Sequence, residues 1–214
     1  MTMEASAYLE NICNFLSLTV VTLCVIMKVP QIWSAFKTGN TKGISLGSVL
    51  LEQTGYSILL SYSYAMEYPV VTYLETAFLL VQNFLLLGLI IHTRDMLSPK
   101  VFILFVLYMI VYLSIAYRLV PDLILKSVIS LNTPLGVSSK ITQIVALYKS
   151  KEPGRLSAIT WGIAGYGCYV RVLTNFVQTA DVFIILSFTC GALLNTTIVI
   201  MILYYTHRKR TKLY

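Results

Sequence analysis

Long runs of apolar residues, separated by short polar connections, follow one another along the whole chain. A membrane-spanning helix needs about 20 mostly apolar residues. Seven stretches meet this requirement, at about 11–36, 44–66, 70–91, 100–118, 121–148, 156–178 and 182–205. Barrel strands would instead alternate apolar and polar residues over segments of about ten, a pattern that these runs lack. The sequence therefore predicts an all-α polytopic membrane protein with seven transmembrane helices.

The composition agrees with a membrane location. Hydrophobic residues make up 57% of the 214 residues and charged residues only 12%, whereas soluble domains contain about 25% charged residues. The net charge of +7 would favour nucleic-acid binding in a soluble protein. In a membrane protein, Lys and Arg concentrate in cytosolic loops instead. We therefore expect contact with membrane lipid and no nucleic-acid partner.

The distribution of Lys and Arg between the two ends of the predicted helices indicates the orientation. Eleven basic residues lie in the connections 1–2, 3–4 and 5–6 and in the C-terminal tail: Lys37, Lys42, Arg94, Lys100, Lys149, Lys151, Arg155, Arg208, Lys209, Arg210 and Lys212. The opposite side has two, Arg118 and Lys126. The positive-inside rule then predicts a lumenal N-terminus and a cytosolic C-terminus. In the tail, Arg210 and Lys212 resemble a dilysine-type retrieval signal, which favours the endoplasmic reticulum over the lysosome or another endomembrane.

An internal repeat relates the two halves of the chain. When the chain is shifted by 112 residues, the separation of Lys28 and Lys140, KVPQI at 28–32 aligns with KITQI at 140–144. The same register aligns further identical residues, which are Ser45 with Ser157, Gly55 with Gly167, and Asn83 with Asn195. Helices 1–3 thus correspond to helices 5–7, and helix 4 is a linker that gives both halves the same orientation. We predict a 3+1+3 parallel repeat of triple-helix bundles.

This layout and four short segments resemble the PQ-loop family, solute carrier family 66. The segments are KVPQI at 28–32, SLGSVLLE at 45–52, YPVVTYLE at 68–75 and RLSAIT at 155–160, and the resemblance covers nearly the whole chain. It implies PQ-loop repeats at 1–91 and 121–206, a linker helix at 92–120 and a basic cytosolic tail at 207–214. It also implies hinge or gate residues at the two Pro-Gln positions: Pro30, Gln31, Thr142 and Gln143. Thr142 stands where the second proline is expected.

The resemblance implies two alternative functions. The first is a transporter of a small polar or anionic solute, working by alternating access between the two triple-helix bundles. The second is a non-transporting accessory protein for the use of dolichol-linked monosaccharides in the endoplasmic reticulum. It is implied by the branch of the family that contains the mannose-P-dolichol utilization defect 1 protein. The cystine-exporting branch relies on membrane carboxylates in its second half. Here the helices 5–7 contain no Asp or Glu beyond Asp122 at the very start of helix 5, so proton coupling does not carry over.

Charged residues inside the predicted helices mark a candidate substrate pathway. A charge at the bilayer centre costs about 2.5–3.5 kcal/mol on insertion scales and usually faces the bundle. Counted along the helices, Lys28 and Glu52 lie at similar depths near the cytosolic side. Glu75 and Arg171 lie at similar depths near the lumenal side. We predict an ion pair at each depth, either as a static brace or as part of a pathway that opens and closes.

Lys140 lacks such a partner in the sequence. The position equivalent to Glu52 is Ala164, so no acidic residue is available on the equivalent helix. The ammonium group is expected either to snorkel to the cytosolic edge of the membrane or to bind an anionic group of a substrate, such as a phosphate or a carboxylate.

Further polar residues share helix faces with these charges. Tyr56 lies one turn after Glu52, and Asn175 one turn after Arg171. Asn83 and Asn195 occupy equivalent places in helices 3 and 7, where an asparagine either bonds between helices or binds a hydroxylated or amino-bearing solute. The predicted substrate pathway therefore comprises Lys28, Glu52, Tyr56, Glu75, Asn83, Lys140, Arg171, Asn175 and Asn195.

No pattern of catalytic residues accompanies this pathway, so we expect neither enzyme activity nor a cofactor. The four cysteines lie inside apolar runs and form no close pair, which is typical of small buried side chains rather than of a disulfide or metal site. The sequence gives no indication of the oligomeric state or of the identity of the solute.

Overall fold

The computed structural model describes residues 3–41, 44, 46–151 and 158–211. Several residues used in the sequence predictions lie outside the described residues, and these are Lys42, Ser45, Arg155, Ser157 and Lys212. Throughout the described ranges the regular secondary structure is helical, without strands. The predicted all-α class is therefore confirmed.

Eight α-helices and one 3₁₀ turn make up the described structure. In chain order they are α1 (Met3–Met27), α2 (Val29–Thr38), α3 (Leu46–Ala65), the 3₁₀ turn (Val70–Thr72), α4 (Leu74–Thr93), α5 (Pro99–Ala116), α6 (Asp122–Ser150), α7 (Ala158–Gln178) and α8 (Val182–Thr211). Together α1 and α2 occupy the first predicted span, and each later helix occupies one. The largest differences from the predicted bounds are at the two ends of the chain, where α1 and α8 are longer than predicted.

Four of the described segments are long and apolar enough to cross a membrane. They are Tyr8–Thr38, Leu74–Thr93, Pro99–Ala116 and Val182–Arg208. The helices α3, α6 and α7 are also long, at 20, 29 and 21 residues, but they are more polar. Polar helices beside strongly apolar ones are typical of a bundle whose interior carries polar groups. The structure thus supports a polytopic membrane protein, while the arrangement of seven spans stays a prediction.

The helices form two compact units, Met1–Asn132 and Thr133–Tyr214. In the first unit α4 is central, because it packs against α1, α2 and α3. In the same unit α3 also packs against α5, the predicted linker helix. In the second unit the principal contact is between α7 and α8.

Each unit contains an apolar cluster, and the two clusters use equivalent positions of the repeat. Under the shift of 112 residues, the buried members that correspond are Ala35 and Leu147, Leu86 and Ile198, and Ile90 and Ile202. The partly buried members that correspond are Ile32 and Ile144, Leu46 and Ala158, and Leu89 and Met201. The repeat that the sequence reveals is thus also a repeat of packing, since the same positions face the interior of both units.

The first helix is broken at Lys28, between α1 and α2. Pro30 stands in the first turn of α2, where a proline is tolerated because an N–H group there has no helical partner. Gln82 of α4 bridges the break. Its Oε1 accepts a hydrogen bond from the Lys28 backbone N–H at 3.2 Å, and its Nε2 donates to the Cys24 carbonyl at 3.1 Å. A side chain inserted into the helical ladder in this way is a recognised cause of a kink.

The equivalent segment of the second unit is continuous, because α6 runs through Thr142 and Gln143 without a break. Thr142 replaces the proline, and Leu194 replaces Gln82. A leucine cannot bridge two backbone groups, so the second unit lacks both the residue that favours the break and the residue that stabilises it.

A proline lies elsewhere in α6, at Pro134, where the repeat does not predict one. A proline inside a helix lacks the N–H that would bond the carbonyl four residues earlier, and it bends or weakens the helix. Pro134 lies two residues beyond Asn132, the last residue of the first unit. The proline that weakens α6 therefore lies close in the sequence to the boundary between the units.

Replacing Gln82 by Leu, the residue at the equivalent position of α8, should destabilise the protein. The substitution leaves the Lys28 N–H and the Cys24 carbonyl without their bridging amide, and a buried unsatisfied polar group costs about 1–3 kcal/mol. Thermal unfolding in detergent should show a clearly lower Tm. Val81→Leu is the matched control on the exposed side of α4, and its Tm should be unchanged. An unchanged Tm in Gln82→Leu would show that the break does not depend on this bridge.

Candidate functional site

The ammonium group of Lys28 lies at the centre of the polar cluster of the first unit. Its side chain is 9% exposed and forms an ion pair with Glu52, whose side chain is 44% exposed. The same ammonium donates to Asn83 Oδ1 at 2.7 Å. The Tyr56 ring centroid lies 5.6 Å from it, within the range of a cation–π interaction. The predicted Lys28–Glu52 pair is confirmed, and its partners balance the buried charge.

The orientation of the Asn83 amide follows from its contact with Lys28. Because an ammonium can only donate, the oxygen of the amide must face it. The Nδ2 group then donates to the Val49 carbonyl at 2.8 Å and to Gln53 Oε1 at 3.1 Å. Both hydrogens and the oxygen of this fully buried amide are used. Asn83 therefore bonds between helices, which is one of its two predicted roles.

The hydrogen-bond network continues from Asn83 to α5. Gln53 accepts from Asn83 through Oε1 and donates through Nε2 to the Tyr108 hydroxyl oxygen at 3.1 Å. The Tyr108 hydroxyl is also bonded to Ser57 Oγ. Since Ser57 gives its own hydrogen to the Gln53 carbonyl at 2.6 Å, Tyr108 is the donor in the bond to Ser57. A single set of hydrogen bonds thus connects the Lys28 ammonium to the predicted linker helix.

A second polar contact fixes the connection that follows α2. Arg94, just after α4, donates through Nη2 to the carbonyls of Thr41 at 2.7 Å and Ile44 at 2.6 Å. The Thr41 hydroxyl bonds to the Thr93 hydroxyl at 2.7 Å. Together with Gly39 and Asn40, three of these residues line a cavity of about 630 Å³. The arginine holds the loop rather than presenting a free charge, so we assign this cavity no ligand.

The equivalent residues of the second unit make fewer bonds. Lys140 Nζ lies 3.5 Å from the Gly136 carbonyl oxygen, at the outer limit for a hydrogen bond. Asn195, with 1% exposure, donates to Cys168 Sγ at 3.5 Å. Its Oδ1 is buried and has no hydrogen-bond partner within the described part of the chain. Lys140 is also close enough to Cys168 for an electrostatic interaction.

The position of the Lys140 ammonium bears on its two predicted roles. Snorkelling requires the ammonium to point toward the C-terminal end of α6, the predicted cytosolic end. Its contact is instead with the Gly136 carbonyl, one turn toward the N-terminus, which is the direction in which helical side chains tilt. Snorkelling and anion binding both stay predictions for Lys140.

The other predicted pathway residues are buried in their own units. Glu75 belongs to the first unit and is 5% exposed, and Arg171 and Asn175 belong to the second unit and are 1% and 2% exposed. Asn175 Nδ2 donates to the Arg171 carbonyl at 2.8 Å, a bond within one helix. Because Glu75 and Arg171 lie in different units, their pairing stays a prediction.

Sequence reasoning missed four residues of the first-unit network: Gln53, Ser57, Gln82 and Tyr108. Gln53 and Ser57 are one helical turn apart, and Ser61 follows one turn later. All three are buried. This spacing of polar residues in an apolar helix was a usable signal. Gln82 stands next to Asn83, and its role depends on a break in another helix, which a single sequence does not reveal.

Comparisons with known proteins place this chain in a family. A family model of the PQ loop repeat matches residues 12–72, a range that includes the helix break and Glu52. Human solute carrier family 66 member 3 is 32% identical over 203 residues, and the alignment covers 95% of this chain and 96% of the relative. The chain belongs to the PQ-loop solute carrier family 66. The family resemblance expected from its short segments is therefore confirmed, and membership indicates a transporter-like membrane protein.

Replacing Tyr108 by Phe should destabilise this family member through a single hydroxyl group. The substitution keeps the ring, whose centroid lies 5.8 Å from that of Phe84. It leaves Gln53 and Ser57 with unsatisfied groups in a buried site, at a cost of about 1–3 kcal/mol. A lower Tm in detergent is the expected result.

The control for this substitution is Tyr112→Phe. Tyr112 stacks on Tyr108 at 6.3 Å between centroids, but its hydroxyl lies outside the network. Its Tm should change much less. Equal changes in the two variants would mean that general packing of α5, and not the network, determines the effect.

Proposed function

We propose that this protein transports a small polar or anionic solute by alternating access between its two triple-helix bundles. The observation that supports this best is the difference between the two equivalent lysines. Lys28 is neutralised by Glu52 within the first unit. Lys140 contacts the Gly136 carbonyl, and no carboxylate of the described residues pairs with it. Lys140 is half-buried, and a cation in such a place is stabilised when a ligand supplies the negative charge.

The breaks in the helices support the conformational part of the proposal. Alternating access requires elements that bend between two states. The break beside Pro30 and Gln31 provides such an element in the first unit, and Pro134 provides one in the second. Thr142 and Gln143 lie in continuous helix in this structure, and their role as a second hinge is retained as a prediction.

The Lys28–Glu52 pair is suited to act as a gate. Glu52 is much more exposed than Lys28, so the carboxylate can leave while Asn83 keeps the ammonium in place. We therefore favour the gating role over the static one.

Glu52→Gln should slow transport without abolishing folding. Glutamine keeps the size of the side chain and a hydrogen-bond acceptor but removes the charge, so the closed state loses its ion pair. We expect a several-fold change in the maximal flux per folded molecule and a small change in the concentration of solute at half-maximal flux. Glu67→Gln, at an exposed residue after α3, is the control. If Glu52→Gln lowers the Tm but leaves flux per folded molecule unchanged, the pair is a static brace.

Lys140→Met should strongly weaken transport of the anionic solute. Charge-assisted hydrogen bonds contribute about 1.5–3 kcal/mol, so apparent affinity should fall by about tenfold to a hundredfold. The measurement is uptake of labelled solutes by liposomes containing the purified protein, with propionate, inorganic phosphate and mannose as the panel. Lys126→Met, at an exposed position of the same helix, should transport at the wild-type rate.

The outcome of this experiment also separates the two functions that the family resemblance implies. Uptake that depends on Lys140 supports a transporter. No uptake of any panel member, together with defective use of dolichol-linked monosaccharides in cells that lack the protein, would instead support the accessory role in the endoplasmic reticulum.

We also propose that the protein resides in the endoplasmic reticulum with its C-terminus in the cytosol. The basic residues of the C-terminal tail and their resemblance to a retrieval signal support this location. Replacing Arg210 and Lys212 together by Ser should redistribute a fluorescently labelled protein to later compartments. An unchanged distribution would show that other parts of the chain determine its location.

A further inference from the structure

We infer that the transported solute is a small carboxylate, and that its carboxylate occupies in the second unit the place that the Glu52 carboxylate occupies in the first. The inference rests on the proposed function and narrows its solute to one chemical class. It comes from comparing equivalent positions of the two units. The polar cluster is complete in the first unit and lacks one group in the second.

The first unit shows the composition of the complete cluster. The Lys28 ammonium has two polar side-chain partners, the Glu52 carboxylate and Asn83 Oδ1. The carboxylate balances the charge, and the amide holds the ammonium in a defined position. A charge at this depth is tolerated because it is both paired and hydrogen-bonded.

The second unit retains the cation and the amide of this cluster but not the acid. The equivalent residues are Lys140 for Lys28, Asn195 for Asn83 and Ala164 for Glu52. Because Ala164 ends at Cβ, a methylene and a carboxylate are missing. The missing atoms correspond to those of a small carboxylate.

The unsatisfied oxygen of Asn195 indicates how the cluster is completed. Asn195 Oδ1 is buried without a partner among the described residues, although its equivalent in Asn83 accepts a bond from lysine. Lys140 carries three N–H donors, and its present contact with Gly136 is long. When a solute carboxylate arrives, the ammonium turns to lie between that carboxylate and Asn195 Oδ1, as Lys28 lies between Glu52 and Asn83.

Ala164 and the residue after it are shorter than their equivalents in the first unit. Ala164 itself is half-buried. Its neighbour Gly165 replaces Gln53 of the first unit and has no side chain. A Cβ added at Gly165 would meet Asn195 Cβ at 3.6 Å, so this part of α7 lies in direct contact with Asn195.

The charge of the site selects a carboxylate over other solutes. One lysine balances one negative charge, whereas a phosphate group carries about −1.5 to −2 at pH 7. The excess negative charge of a phosphate would remain unbalanced at membrane depth, which is unfavourable. A neutral sugar would leave the lysine itself unbalanced. Of these three solutes, inorganic phosphate, a neutral sugar and a carboxylate, the carboxylate is the one that leaves the completed cluster neutral.

Binding to the purified full-length protein tests the ligand class. The probes are propionate, propionamide and inorganic phosphate, since propionamide has the shape of propionate without its charge. Propionate should raise the Tm in a concentration-dependent way, and propionamide and phosphate should not. Lys140→Met should weaken propionate binding at least about tenfold, while Lys126→Met should leave it unchanged. Equal shifts with propionamide, or a shift with phosphate alone, would overturn the inference.

A second experiment tests the geometry without using transport. Ala164→Glu places a tethered carboxylate at the proposed position, so it should weaken propionate binding at least about tenfold. In a double-mutant cycle, Ala164→Glu should be tolerated better with Lys at position 140 than with Met. Ala164→Gln has nearly the same size and no charge, and its Tm should not depend on the residue at 140 in this way. Absence of coupling between Ala164→Glu and Lys140→Met would show that the lysine does not reach this position.

The two experiments separate failure of the inference from failure of the proposed function. If liposomes take up phosphate or mannose but not propionate, the protein is a transporter and the carboxylate assignment is wrong. If coupling between positions 140 and 164 is present and propionate binds without being transported, the site is a carboxylate site and transport is wrong.

Discussion

The ammonium group of Lys28 is buried at membrane depth, and the first unit is organised around its charge. Glu52 on α3 neutralises it, Asn83 on α4 accepts its hydrogen bond, and Gln53 and Tyr108 extend the network to α5. The same residue stands at the helix break that Gln82 bridges. Buried charges and backbone groups without a hydrogen-bond partner are costly in lipid. Each of these contacts must therefore form together with the others. The apolar helices provide the membrane span, and this polar set determines how α1 to α5 are held together.

The second unit repeats the apolar cluster of the first but not its electrostatics. The apolar clusters use equivalent positions, so the interior faces of the helices have been retained. The polar residues that differ between the two units are replaced in pairs. Proline and the bridging glutamine are both absent, which leaves α6 continuous at this point. The acid and its neighbouring glutamine are also both absent, which leaves a lysine and an asparagine oxygen without the partners of their equivalents. In the second unit Asn195 Oδ1 is thus buried without a hydrogen-bond partner among the described residues, whereas the equivalent Asn83 Oδ1 accepts from Lys28.

The roles of apolar and charged residues follow from the sequence more fully than the roles of uncharged polar residues. The helical class, the repeat and the Lys28–Glu52 pair followed from run length, register and depth along a helix, all of which are local or periodic. The roles of Gln53, Gln82 and Tyr108 did not follow from the sequence. An uncharged polar side chain does not need a counter-ion, so the sequence does not indicate where its partner lies. Its role depends on which donor or acceptor another helix places beside it. The direction of the Lys140 side chain likewise depended on the local carbonyl that it meets.

The sequence by itself determined the helical class, the family and which charges lie inside apolar segments, since apolar length and charge cost act on each segment separately. The tertiary structure decided which of the two equivalent lysines is neutralised, how the break in the first helix is stabilised and how the linker helix joins the polar network. These features depend on hydrogen bonds between residues far apart in the chain, for example Lys28 with Asn83 and Gln53 with Tyr108. Such bonds form only when packing brings donor and acceptor within about 3 Å, and that distance is a property of the folded units and not of any one segment.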